Sequence, residues 1–183
     1  MHSYVILLRG INVGGKNRVP MAELKKCLEN LGFLNVTTYI ASGNVIVQTD
    51  KSSQDIKTLI EEALPKIFQL DSAIVKVLVL SRSQLHAVIT NKPTGFGDQP
   101  DTYHSDAIFL MDIDINDVMP LFSPREGVDK VWAGDGIVYS QRLSAQLTKS
   151  RLNKIIASPL YKSMTIRSWN TTIKLLELLK NQK

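Results

Sequence analysis

The stretch from residue 34 to residue 48 constrains the fold most. Two runs rich in Val, Ile, Thr and Tyr, residues 34–41 and 45–48, flank Ser42-Gly43-Asn44. Short β-branched runs on either side of turn residues form a hairpin, so the two strands must pair antiparallel. The flanking sequence extends this nucleus in both directions. Residues 3–9 are an apolar run bounded by glycine and read as a buried strand. Pro20 opens a helix through Leu31, with Met21, Leu24, Leu28 and Leu31 on one face and Gly32 as its stop. After the hairpin, Ser52-x-x-Asp55 resembles a capping box. The helix it opens carries Ile56, Leu59, Ile60, Ala63 and Ile67 inward, and Pro65 is expected to kink or end it. Residues 73–80 form a fourth strand, which completes a β-α-β-β-α-β order.

The same order then recurs. Ser81-x-x-Gln84 caps a short connecting helix through Ile89, and Pro93, Gly95, Gly97 and Pro100 make residues 91–104 a linker. Residues 105–111 form a strand, Asp114 caps a short helix with Val118 and Leu121, and residues 128–133 and 137–141 form a hairpin around Gly134-Asp135-Gly136. A helix is expected over 148–157 with Leu152, Ile155 and Ile156 inward, then a strand over 164–167. A last helix follows, capped by Asn170, with Ile173, Leu176 and Leu179 on one side. Matching elements are offset by about 90–100 residues. The reading is α+β, a duplicated ferredoxin-like fold of two antiparallel sheets with helices on one face of each. Its divisions are 1–80, a connecting helix and linker at 81–104, and 105–183 with an extra C-terminal helix. In that topology the first and second strands of a unit run parallel. The loop 10–17 and the turn Ser42-Gly43-Asn44 therefore share one end of the sheet.

Composition narrows the class. An even globular balance, 44% hydrophobic and 21% charged, supplies a core. The longest apolar run, Tyr4 to Leu8, spans five residues, far short of the ~20 a membrane helix needs. No basic segment precedes it, so neither a signal peptide nor a membrane role is expected, and the cytoplasm is the expected location. The single cysteine, Cys27, sits on the stripe of Leu24, Leu28 and Leu31 and reads as a buried small hydrophobe. Charge is unevenly placed. Residues 1–141 hold 13 Lys/Arg and 16 Asp/Glu, whereas residues 142–183 hold 9 Lys/Arg against Glu177 alone. Such asymmetry suits either an anionic partner or a solvated basic surface.

Three separated segments are distinctive: Leu8-Arg9-Gly10-Ile11-Asn12-Val13-Gly14-Gly15-Lys16-Asn17, Tyr39-Ile40-Ala41-Ser42-Gly43-Asn44-Val45, and Thr165-Ile166-Arg167-Ser168-Trp169-Asn170-Thr171. Together, in this order, they make the chain resemble the bacterial family known only as domain of unknown function 1697. The likeness spans essentially the whole length. Members often carry Asn where this chain has Ser168. The resemblance implies a duplicated ferredoxin-like fold and no established reaction.

Candidate sites follow from the loops and the basic segment. Gly10-x-x-x-x-Gly15-Lys16 fits the first seven positions of a phosphate-binding P-loop. Asn17 stands where a magnesium-holding hydroxyl belongs, and Arg18-Val19-Pro20 separates the loop from the helix. Two softer readings of the loop stand. Its amides cradle an anion with help from Arg9, Lys16 and Arg18, or its glycines serve backbone shape alone. With the hairpin turn adjacent, Arg9, Asn12, Lys16, Ser42 and Asn44 form one candidate ligand site. Lys149, Ser150, Arg167 and Lys174 form another, placed at an expected helix N-terminus near Thr148, where unpaired amides favour phosphate. The run Asp112-x-Asp114-x-Asn116-Asp117 lacks the glycine and the bidentate Glu of a calcium loop. Asp98, Asp101, His104 and Asp106 read as a solvated loop, so no metal and no cofactor is expected. His2, His86 and His104 are scattered, and no nucleophile elbow, zinc motif or paired catalytic carboxylates occur. A binding protein for a phosphorylated or anionic small molecule or nucleic acid is the leading expectation. An enzyme acting on a phosphorylated metabolite and a protein-interaction module with a basic C-terminal region stand beside it. Ligand identity and oligomeric state are open at this level.

Overall fold

The computed structural model describes residues 1–71 and 75–182. The chain divides into two compact units, Met1–His86 with Lys174–Lys183, and Ala87–Ile173. The first unit runs β1 (His2–Arg9), α1 (Met21–Asn30), β2 (Leu34–Tyr39), β3 (Asn44–Thr49), α2 (Ser53–Phe68) and β4 (Lys76–Ser81). The expected strand start at Ala73 and Ile74 lies outside the described residues. Its sheet has the order β2-β3-β1-β4 and is antiparallel throughout. Ile6, Leu8, Val45, Val47 and Val77 form the floor of a core roofed by Leu24 and Leu28 of α1 and by Ile56, Ile60 and Leu64 of α2. Each such buried aliphatic side chain contributes roughly 1.5–3 kcal/mol relative to exposure. Cys27 is buried in the same core, and burial pushes its thiol pKa up.

Two details of α2 depart from the sequence pattern. The helix runs three residues past Pro65 and closes at Gln69, which takes a left-handed φ of 52°. Pro65 has no N–H to give Glu61 O and its ring crowds that carbonyl, yet the helix continues for one more turn before it closes. The buried ladder is Ile56, Ile60, Leu64, so Ile67 turns outward and is 54% exposed. The capping box formed as expected, with Asp55 N donating to Ser52 Oγ at 3.1 Å and Ser52 N to Asp55 Oδ2 at 3.3 Å.

Helix α3 (Arg82–Thr90) crosses into the second unit, which continues with β5 (Tyr103–Leu110), α4 (Ile115–Val118), β6 (Asp129–Gly134), β7 (Ile137–Leu143), β8 (Met164–Ser168) and α5 (Trp169–Lys180). Its sheet order is β6-β7-β5-β8, again antiparallel. One face packs Ile108, Leu110, Val138 and Met164 against Val118, Phe122, Leu152 and Ile155. The glycine- and proline-rich segment before β5 has no helix or strand between α3 and Tyr103, yet it is anchored. Phe96 is fully buried and meets the rings of Trp132, Tyr139 and Trp169 edge-on at 5.9, 5.1 and 4.9 Å. Gly97 is required beside it, because its φ is +74° and a Cβ there would strike the Trp169 ring.

The helix expected over 148–157 is absent as an α-helix. Two 3₁₀ segments, Ser144–Lys149 and Leu152–Ala157, replace it. Ser150 breaks the path, because its Oγ accepts from Leu152 N at 3.2 Å, while Asp129 Oδ2 accepts from Arg151 N at 2.9 Å. Inward positions three apart, Leu152 and Ile155, suit the three-residue 3₁₀ turn, and Ile156 is left 58% exposed. The cap of α5 is Ser168 rather than Asn170, since Ser168 Oγ accepts from Thr171 N at 3.3 Å. Among the described residues no helix is long and apolar enough to cross a membrane.

Candidate functional site

The loop after β1 and the hairpin turn meet at one end of the first sheet, as the strand directions require. Leu8 N donates to Gly43 O at 2.8 Å. A Cβ on Gly43 would lie 2.8 Å from Leu8 Cβ and 3.0 Å from Ile11 Cδ1. Asn12 ties the two segments together. Its Nδ2 donates to Val19 O and Ala41 O, both at 2.9 Å, and its Oδ1 accepts from Val19 N at 2.7 Å. Asn17 does the same nearby, donating to Gly10 O at 2.8 Å and accepting from Asp71 N at 3.2 Å. Asn44 is fully buried and donates to Tyr39 O and to Ser42 Oγ at 3.1 and 2.9 Å. These asparagines, three of them at positions the motifs singled out, hold backbone. Asn12 and Asn17 also adopt left-handed φ values of 54° and 48°, which asparagine tolerates better than most residues.

The P-loop geometry is therefore not formed. Val13-Gly14-Gly15-Lys16 is a tight turn closed by Lys16 N to Val13 O at 3.0 Å, and α1 begins only after Pro20. Arg9 is half-buried on β1 and pairs in register with Lys76, while Lys16 and Ser42 are exposed.

The second set of candidates is dispersed. Ser150 is committed to Leu152 N and also hydrogen-bonds Asp129, and Lys149 is exposed at the end of a 3₁₀ segment with no α-helix N-terminus beside it. Arg167 is buried on β8. It donates to Thr165 Oγ1 at 2.9 Å and Ile166 O at 2.8 Å, and burial lowers its pKa to about 10. Arg167 pairs with Ala107, whereas Met164 and Ile166 alternate onto the opposite, helix-covered face. Lys174 pairs with Glu177 at 3.0 Å. Of the residues read as a solvated loop, Asp98 and Asp101 precede β5, but His104 and Asp106 lie on that strand and Asp106 is buried. Asp98 meets Lys92 at 2.6 Å, and Asp106 meets Arg142 at 2.8 Å and His104 at 3.2 Å.

A different region of the first unit gathers chemistry that sequence inspection left scattered. A groove of about 740 Å³ lies where β1 begins and β4 ends. From β1 it takes His2, Ser3 and Tyr4, from the end of β4 Ser81, from α3 Arg82, Ser83 and His86, and from α5 Lys180. Met1 also lines it, with its ammonium held by Asp50 at 2.6 Å. Among the described residues that line it there is no carboxylate, although Asp50 reaches the Met1 ammonium at its edge. The pairing of Tyr4 with Ser81 across β1 and β4 sets the first turn of α3 beside the start of β1, and so brings His2 and His86 to one site. Ser81 and Gln84 form the expected capping box. Gln84 N donates to Ser81 Oγ at 3.2 Å and Ser81 N to Gln84 Oε1 at 2.9 Å. This groove is at the opposite end of β1 from the Gly10–Lys16 loop, about 20–25 Å away along an eight-residue strand.

Charge supports the same location. The first unit, with its C-terminal segment, holds 13 Lys/Arg against 8 Asp/Glu, whereas the second holds 9 of each. Of the nine Lys/Arg in residues 142–183, only Lys174, Lys180 and Lys183 fall in the first unit; the other six lie in the second, where acidic residues before position 136 balance them, so the net positive charge rests on the unit with the groove. The signal available in the sequence was the Ser81 capping box followed at once by Arg82, which marks a helix start with a cation on it.

The sequence matches the family described as "Protein of unknown function (DUF1697)" over residues 1–139, a span that includes the first two of the three distinctive segments. In three dimensions the chain is similar to a conserved bacterial protein, SP0830 from Streptococcus pneumoniae. The TM-score is 0.80 and the identity 28%, over 97% of this chain and 98% of that one. No curated protein matches the chain.

Proposed function

The chain belongs to the DUF1697 family of proteins of unknown function, and for it we propose the binding of a phosphorylated or otherwise anionic ligand in the groove between the start of β1 and α3. The observation that carries this reading is the lining. Arg82, Lys180, His2 and His86 line it together with Ser3, Ser81 and Ser83, and no carboxylate stands among the described lining residues. An anion entering such a groove meets the cations of Arg82 and Lys180 and the hydroxyl donors beside them. The first amides of α3 have no intrahelical acceptor and add to the positive field.

We also infer that each unit is a ferredoxin-like fold and that the chain is a duplication. Support comes from the identical strand order in both sheets, with the first strand of each unit central between its third and fourth.

The test is calorimetric titration of the full chain with inorganic phosphate, pyrophosphate and a labelled oligonucleotide at ~50 and ~200 mM salt. Saturable binding that weakens at least tenfold in Arg82→Ala, with unchanged thermal unfolding, supports the groove. Equal binding by Arg82→Ala and the parent refutes it. A second reading places nucleic acid on residues 136–176, where no Asp or Glu occurs and Lys149, Arg151, Lys154 and Lys162 are exposed. Oligonucleotide affinity that falls steeply with salt and is lost in Lys149→Ala/Lys154→Ala, but kept in Arg82→Ala, selects that surface instead.

A further inference from the structure

The groove holds an aromatic pair as well as cations, and this narrows the ligand. His2 and Tyr4 are two residues apart on β1 and so lie on one face of the strand. Their rings meet edge-to-face, with centroids 6.5 Å apart and planes at 65°. Tyr4 is half-buried and packs against the hydrophobic core of the first unit, which fixes its ring, while His2 is exposed. Directly across the strand pair stands Ser81, and Arg82 follows it. An aromatic pair and the cations Arg82 and Lys180 thus line the same groove. The volume, about 740 Å³, falls in the range of sites for drug-sized ligands, roughly 300–1,000 Å³, and far exceeds what an isolated phosphate fills.

We propose that the groove takes a phosphorylated aromatic compound of the nucleoside monophosphate class, its phosphate at Arg82 and Lys180 and its base against the His2–Tyr4 pair; this rests on the anion reading of the same groove. The serine hydroxyls between the two ends match the sugar hydroxyls such a ligand carries. Bases stack on aromatic side chains without needing a particular sequence of donors and acceptors, so the site favours the class rather than one base.

The experiment is isothermal titration of the full chain with adenosine monophosphate, ribose 5-phosphate, adenosine and inorganic phosphate at ~50 mM salt. Adenosine monophosphate is expected to bind about tenfold or more tightly than ribose 5-phosphate, the gain that stacking a base on an aromatic side chain supplies. Tyr4→Leu removes that gain and leaves ribose 5-phosphate binding in place. His2→Ala, at an exposed position, reduces it without touching the core and serves if Tyr4→Leu alters folding. Arg82→Ala weakens both phosphorylated ligands together. Ribose 5-phosphate binding as tightly as adenosine monophosphate overturns the aromatic half of the proposal and leaves the anion reading standing. Adenosine binding as tightly as its monophosphate, or no binding by any of the phosphorylated probes, overturns both.

Discussion

Replacing Asn12 by alanine separates a ligand-binding role for this residue from the structural one its geometry describes. The amide makes three hydrogen bonds, two to Val19 and one to Ala41 O. Val19 is 2% exposed, so water cannot readily replace the pair of bonds to its peptide groups. Each lost bond there costs about 1–1.5 kcal/mol. Ala41 is exposed, and its carbonyl recovers most of its bond from solvent. Alanine at φ 54° adds about 1 kcal/mol of backbone strain. The expected loss for Asn12→Ala is therefore about 3–4 kcal/mol. With a urea slope of about 2 kcal/mol/M this moves the midpoint by about 1.5–2 M. Asn12→Gly keeps the backbone relaxed and falls short of the alanine cost by up to ~1 kcal/mol. Far-UV circular dichroism is the suitable probe, because both tryptophans, Trp132 and Trp169, belong to the other unit. The groove at the far end of β1 keeps its affinity for phosphate probes. A stability change below ~0.5 kcal/mol, or a loss of ligand affinity at full stability, refutes the reasoning.

Phe96→Ala empties the centre of the aromatic cluster and is expected to cost about 3–5 kcal/mol, with tryptophan emission shifted to the red. Gly43→Ala drives a Cβ into Leu8 and Ile11 at φ +75° and lowers stability by about 2–4 kcal/mol. Gly14→Ala, at φ +58° with no atom within 4 Å of its Cβ, loses only about 1 kcal/mol, and paired thermal melts show the difference. Asp129 tests acid stability. Burial alone would raise its pKa, but the amides of Arg151 and Arg125, the Ser150 hydroxyl and the charge of Arg142 together hold it below the usual carboxylate value. A carboxyl depressed in the folded state adds stability above its unfolded pKa, near 3.9, and loses it as pH falls through the native value. Asp129→Ala is therefore expected to cost about 2–4 kcal/mol at pH 7, with the gap to the parent narrowing below pH ~4 in urea titrations.

Most of the architecture was written locally. Short apolar and β-branched runs bounded by turn residues, the turn Ser42-Gly43-Asn44 and the capping residues Ser52, Ser81 and Asp114 fix their elements through contacts a few residues apart. Strand directions then followed from connectivity, which is why the meeting of the Gly10–Lys16 loop with the hairpin turn was legible in advance. Residues 148–157 were not, because helical spacing of apolar residues cannot reveal that Asp129, some twenty positions earlier, claims the amide of Arg151 and leaves 3₁₀ turns. The hydrogen bonds of the candidate residues Asn12 and Asn44 were not legible in the motifs either. The partners of Asn12, namely Val19 and Ala41, become its neighbours only once the loop closes and meets the hairpin turn, whereas Tyr39 O reaches Asn44 within the hairpin itself. The groove itself depends wholly on tertiary structure. His2 and Tyr4 share it with Ser81 and Arg82 because β1 hydrogen-bonds to β4, and Lys180 reaches it from the last helix. Pairing between strands about seventy residues apart is settled by burying both faces of a central strand at once, a condition on the whole sheet that no local pattern in the chain encodes.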